Sequence, residues 1–212
     1  TGFVVQKQAM DQSPRQQMNR ETNILVSIGG GRVGYELLEC AVEASALLAD
    51  RLPHRMRIFT GPYLPEEQFN KLREQAANSS LINVERFTSN FLSHLEHADL
   101  SVSMAGYNTC MNLLTTGTRA LVYPFTGNNN EEQTIRAEKL EKLGAVAVIR
   151  DHQLEPRLLA ENIFQHCVRQ HCRRTQAATV RPSLDLNGAE KTAATITEFL
   201  NQGAVSAAGA GR

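Results

Sequence analysis

The stretch His97–Phe125, HADLSVSMAGYNTCMNLLTTGTRALVYPF, reads as strand, glycine turn, helix and second strand. Leu100–Met104 is a short run with β-branched and apolar members that stops at Ala105-Gly106, where a missing Cβ lets backbone approach another group. Tyr107-Asn108-Thr109 then offers two side chains of the N-cap type ahead of Cys110, Met111, Leu113 and Leu114, so a helix is expected to begin there with its first N–H groups unpaired. Gly117 takes the position just past that helix, and Arg119–Tyr123 forms the next strand before Pro124. The unit is βαβ. A helix N-terminus behind a strand and a glycine turn carries roughly half a positive charge and is a seat for phosphate.

Working outward, the same pattern recurs on both sides. Asn23–Ile28, NILVSI, is a near-continuous apolar run suited to a strand buried on both faces, and it is followed by Gly29-Gly30-Gly31-Arg32-Val33-Gly34. Residues 36–52 carry Leu37, Leu38, Ala41, Val42, Ala44, Leu47 and Leu48 at helical period. A strand over 55–60 closes on Gly61-Pro62, a helix covers 66–77, a strand 81–87 and a short helix 91–97. Beyond Pro124, residues 130–143 are helical with Glu131 and Glu132 in the first turn and Gly144 past the end. A sixth strand at 145–149 and helices at 154–172 and 189–200 complete the pattern. This alternation predicts an α/β fold: a doubly wound parallel sheet of about six strands with helices on both faces, Rossmann-like. The polar stretch 1–21 reads as an interdomain linker, 22–201 as the domain, and the Gly, Ala and Ser-rich 202–212 as a disordered tail.

With 212 residues and 42% apolar content the chain holds one substantial core. Lys and Arg number 22 and Asp and Glu 22, a balance that gives no electrostatic footprint for nucleic acid or an anionic membrane. No apolar run approaches the roughly 20 residues that span a bilayer. Cys40, Cys110, Cys167 and Cys172 fall in predicted helices, which points to reduced thiols and a cytoplasmic protein with no targeting peptide.

Ligands of such sheets sit outside the strands' carboxyl ends, where the strand order reverses. Gly29, Gly31 and Gly34 fit the spacing of a dinucleotide-binding turn. The acidic residue that should close the second strand is replaced by Thr60-Gly61, which argues against NAD. His94 and His97 read as a surface pair. Cys167 and His171 share a helical face at a spacing that suits zinc, but no second ligand pair follows and interleaved arginines favour a solvated helix. Glu131 and Glu132 point about 100° apart and cannot act as a glycosidase pair.

Taken together, the paired turns, their spacing and Glu132-Gln133 resemble the C-terminal, nucleotide-sugar-binding half of GT-B glycosyltransferases of the MurG type, over Thr1 to about Leu154. Thr1-Gly2-Phe3-Val4-Val5 is similar to the stretch that joins the two halves of those enzymes. GGGRVG stands where the family has Gly-Gly-Ser-x-Gly, Phe87-Thr88 where its nucleobase loop lies, AGYNTCMN where it reads Ser-Gly-Ala-x-Thr-x-x-Glu, and PFTGNNNEEQTIRA where it has Pro-Phe and a later Gln-Gln or Glu-Gln pair.

The resemblance implies that Gly106, Tyr107, Asn108 and Thr109 hold the diphosphate of a UDP-sugar. It places Thr88 against the uracil, Asn112 near the ribose, and Glu132 and Gln133 on sugar hydroxyls, with Gly29, Gly30, Gly31 and Arg32 facing the cleft. It implies no metal and no cofactor, and Arg32 is the candidate for added charge at the diphosphate. The family's ribose-binding Glu falls on Asn112, its Arg after the joining strand on Gln6 and its Ser on Gly31. The expected activity is the donor half of a hexosyl or N-acetylhexosaminyl transferase. The acceptor and the catalytic base belong to an N-terminal half in cis or a separate subunit in trans, so the isolated half is expected to be inactive. A nucleotide-sugar hydrolase on the same fold and a non-catalytic binding module are the alternatives; a His or Asp reaching the sugar distinguishes the first, and Asn112 speaks for the second.

Overall fold

The computed structural model describes residues 21–127, 131–168 and 187–209. Its organising strand is β1 (Thr22–Ser27), whose side chains are almost all buried, as expected where helices cover both faces of a sheet. Five more strands lie parallel to one another and to it: β2 (His54–Phe59), β3 (Ile82–Glu85), β4 (Leu100–Met104), β5 (Ala120–Tyr123) and β6 (Ala147–Val148). Their spatial order is β3-β2-β1-β4-β5-β6, so the chain winds one way from β1 and then, from β4, the other.

The helices between them are α1 (Tyr35–Leu48), α2 (Glu66–Ala77), α3 (Phe91–His97), α4 (Tyr107–Thr116) and α5 (Glu132–Lys142), followed by α6 (Pro156–Val168) and α7 (Gly188–Gly209). The period-2 alternation of β1 divides the core. Ile24, Val26 and Ile28 pack with Leu37, Leu38 and Leu48 of α1, Leu72 of α2, and Leu159 and Ile163 of α6. Leu25 packs on the opposite face with Leu95 of α3, Met111, Leu113 and Leu114 of α4, and Leu140 of α5. Each fully buried Leu or Met contributes about 1.5–3 kcal/mol, so either layer alone outweighs any single polar contact in the domain.

The doubly wound sheet expected from the alternation is therefore what forms. α2, α3 and β4 keep their expected limits, while the other elements shift at one or both ends. The first helix stops at Leu48, where Arg51 and Leu52 turn their N–H groups onto Leu48 O at 2.9 Å. The sixth strand shortens to Ala147–Val148, because only these residues pair with Leu121 and Val122. The final helix does not end at Leu200 but continues to Gly209, across most of the tail expected to be disordered from residue 202, in keeping with the high helix propensity of its alanines. The linker over 1–20, the last turn expected of the sixth helix, and His171 and Cys172 lie outside the described residues. Among the described residues no helix is long and apolar enough to cross a membrane.

Candidate functional site

The strand order reverses between β1 and β4, and the turns that follow these strands carry the two glycine motifs to one edge of the sheet. The first turn is locked to the turn after β2 by backbone contact. A Cβ on Gly31 (φ 90°) would lie 2.5 Å from Thr60 O, and one on Gly61 (φ 82°) 2.3 Å from Gly29 O, so both positions admit glycine alone. Tyr63 N donates to Gly30 O at 2.9 Å, and the Arg32 guanidinium lies 4.9 Å from the centre of the Tyr63 ring. Gly30, Gly31 and Arg32, expected to face the cleft, are thus engaged with the 60–64 turn beside it. Thr60-Gly61 follows β2, so no carboxylate of the dinucleotide type closes that strand.

Between these turns and α3 a cleft of about 220 Å³ opens. Ser27 and Gly29 of the β1 end and Gly61 lie on one side; Phe59, Phe87 and Phe91 make an aromatic wall with Arg86 and Thr88; Asn108, Thr109 and Asn112 of α4 close it. Of the residues expected to bind, Gly29, Thr88, Asn108, Thr109 and Asn112 are brought together here. Arg86 is the charged residue of the lining, and it is fixed: Nη1 donates to Leu64 O at 2.8 Å, Nη2 pairs with Glu66 at 2.5 Å, and the guanidinium stacks 4.0 Å from the Phe69 ring centre.

α4 begins earlier than the cap-type residues suggest. Gly106 (φ −62°, ψ 153°) is the N-cap with no side-chain cap bond, and its carbonyl accepts from Cys110 N at 3.0 Å. Asn108 and Thr109 therefore sit inside the first turn rather than capping it. Glycine at the cap leaves the helix's leading N–H groups without a side-chain acceptor, and no acidic residue stands in that turn. The buried apolar face of α4 fixes this end at the sheet edge, while Asn112, one turn beyond Asn108, shares its face and lines the same cleft. Gly117 ends the helix in the left-handed conformation, as expected of a C-terminal glycine.

The α5 residues are engaged with the protein. Gln133 Oε1 accepts from Phe125 N at 3.1 Å, which occupies the oxygen expected to meet a sugar hydroxyl and leaves the amide nitrogen. Glu132 pairs with Arg136, whose Nη1 donates to Ala105 O at 2.9 Å and whose guanidinium lies 5.6 Å from the Tyr107 ring centre. Arg136 thereby ties α5 to the turn ahead of α4.

Burial pushes the Cys40 and Cys167 thiols up to about 12 and that of Cys110 to about 11, so all three stay protonated at neutral pH and are poor nucleophiles. Among the described residues no cluster of three or more His, Cys, Asp or Glu is placed to hold a metal ion. Ser27, Phe59, Arg86 and Phe91 joined the site without being singled out from the sequence. The hydroxyl of Ser27 in an otherwise apolar strand was the available signal; the phenylalanines looked like ordinary core.

Two transferases show the likeness in sequence, both named UDP-N-acetylglucosamine–N-acetylmuramyl-(pentapeptide) pyrophosphoryl-undecaprenol N-acetylglucosamine transferase. That of Exiguobacterium sp. is 25% identical over 162 residues, 76% of this chain and 44% of its own length. That of Hahella chejuensis is 31% identical over 140 residues, 66% of this chain and 38% of its own. The chain thus spans less than half the length of these relatives. Acinetobacter baumannii MurG has the same fold, with a TM-score of 0.71 at 20% identity over 86% of this chain and 51% of that one. The glycosyltransferase family 28 C-terminal domain matches residues 24–196, most of the chain, and the protein belongs to that family.

Proposed function

We propose that the domain binds the nucleotide-sugar donor of a glycosyltransferase, with the diphosphate at the N-terminus of α4 and the nucleoside in the cleft between α3 and α4. One observation carries this reading: a single cleft at the strand-order reversal joins an uncapped helix N-terminus to an aromatic wall. The first feature suits a diphosphate and the second a nucleobase. The relatives described above are named as UDP-N-acetylglucosamine transferases, which makes a UDP-hexosamine the leading donor. Phe87 is 68% exposed, free to move against an incoming base, and Thr88 stands beside it.

In this scheme the protein's part in the chemistry is electrostatic. As the bond from the sugar to the diphosphate breaks, negative charge grows on the departing nucleoside diphosphate. The N–H groups of the first α4 turn stabilise that charge without reorganising, in the role a metal ion takes elsewhere. The acceptor and the group that deprotonates it belong to a second domain or subunit. The isolated chain is expected to bind UDP with no transfer from UDP-N-acetylglucosamine. Titration calorimetry with UDP, TDP and GDP tests this, and the absence of heat with all three overturns the donor reading.

A further inference from the structure

Ser27 ends β1 directly beneath the cleft. It is paired in register with Phe59 of β2 on one side and Ser103 of β4 on the other, and all three face the α3 and α4 layer. Ser103 Oγ is satisfied by Ser101 Oγ at 3.0 Å. Ser27 is only 2% exposed, and its Oγ has no hydrogen-bond partner. A buried hydroxyl left unpaired opposes folding, and such a group calls for a partner. The position is not one where a hydroxyl helps the fold: Leu25, one pleat earlier on the same face, shows that this side of β1 accepts an apolar side chain.

We propose that Ser27 Oγ is a floor contact for the nucleoside part of the donor, a binding residue that completes its hydrogen bonding only when the cleft is filled. This rests on the donor-site reading above and adds to it the position of the ligand. Ser27 lies between the aromatic wall, where the base stacks, and the first turns of α4, where the phosphates end. The group above it is therefore the pentose or the adjoining edge of the base, and not the diphosphate. The lining holds no carboxylate, so recognition of that part of the ligand falls to neutral groups, the Ser27 hydroxyl and the Asn112 amide among them. Arg86, the cation of the lining, is already held by Leu64 O, Glu66 and Phe69. A neutral hydrogen bond of about 1 kcal/mol corresponds to roughly fivefold in affinity.

Binding of UDP and of UMP to the wild-type chain and to Ser27→Ala, together with melting of both proteins without ligand, tests the assignment. The expected result is a roughly fivefold loss for UDP and the same loss for UMP, with a ligand-free melting temperature no lower than wild type, since the hydroxyl had no partner to lose. Ser27→Cys, which keeps the volume with a weaker donor, should give an intermediate loss and serves if Ala loosens the strand end. Unchanged affinity for both nucleotides in a well-folded variant overturns the proposal and leaves the donor site standing. A loss confined to UDP also overturns it, by placing the hydroxyl at the β-phosphate. Failure of the wild-type chain to bind either nucleotide overturns the donor-site reading itself.

Discussion

Asn112 stands where the resemblance expects a ribose-binding Glu, and its place one turn beyond Asn108 in the cleft makes that expectation testable. A charge-assisted hydrogen bond is worth about 1.5–3 kcal/mol against about 1 for a neutral one. Asn112→Glu should therefore tighten UDP binding several-fold, less the repulsion from nearby phosphates, and leave 2′,3′-dideoxy-UDP unimproved; equal effects on both nucleotides would remove the side chain from the ribose. The glycines separate by a different test. Gly61→Ala puts a Cβ against Gly29 O in a backbone region costing about 1–3 kcal/mol, whereas Gly106 has ordinary dihedrals and 4.0 Å of room to Thr109 Oγ1. Thermal unfolding should show a large loss for Gly61→Ala and little for Gly106→Ala. The sequence was enough to put Asn108 and Asn112 on one helix face at the cleft, because their spacing alone decides it. Contacts made by tertiary packing were not legible: Gly31 and Arg32 meet the 60–64 turn, and the Gln133 carbonyl oxygen accepts from Phe125 N.

At the scale of elements, α4 carries the account. Its glycine cap and lack of first-turn acids leave a positive end, which on the proposed reading meets the diphosphate without a metal. Nucleotide affinity should survive EDTA unchanged and fall as salt is raised; loss with chelator and recovery with Mn²⁺ would move the diphosphate elsewhere. α3 supplies a pH dependence. Burial first, then the Arg57 guanidinium 3.1 Å away, hold His94 below the usual imidazole range, against an opposing pull from Glu85 and with His97 adding to the lowering. The unfolded chain takes up this proton at a higher pH than the folded one, so His94 favours folding above about pH 6.5 and that contribution is lost as pH falls below it. His94→Gln should flatten the acid side of the stability profile below about pH 6.5; an unchanged slope would contradict the assignment. Helices were readable from sequence because one face of each is apolar, and the central strands because they are short, near-continuous apolar runs between turn residues. The end of the last helix was not, because its extension past Leu200 follows from alanine content without an apolar period to mark it.

On the scale of the whole molecule, the reversal of strand order explains why residues as far apart in sequence as Ser27, Phe59, Thr88 and Asn112 share one cleft. The alternation of strands and helices announced the parallel sheet. The aromatic wall could not be foreseen, since Phe59 and Phe91 look like core until the crevice between α3 and α4 gives them a free side. The central claim is that one nucleotide spans this cleft from the aromatic wall to the first turn of α4. Backbone amide shifts in a ¹⁵N-labelled chain titrated with UDP test it most directly. The account predicts saturable shifts at Gly29, Thr88, Asn108, Thr109 and Asn112, with the amides of α6 unmoved; saturable shifts that leave Asn108 and Thr109 in place would contradict it.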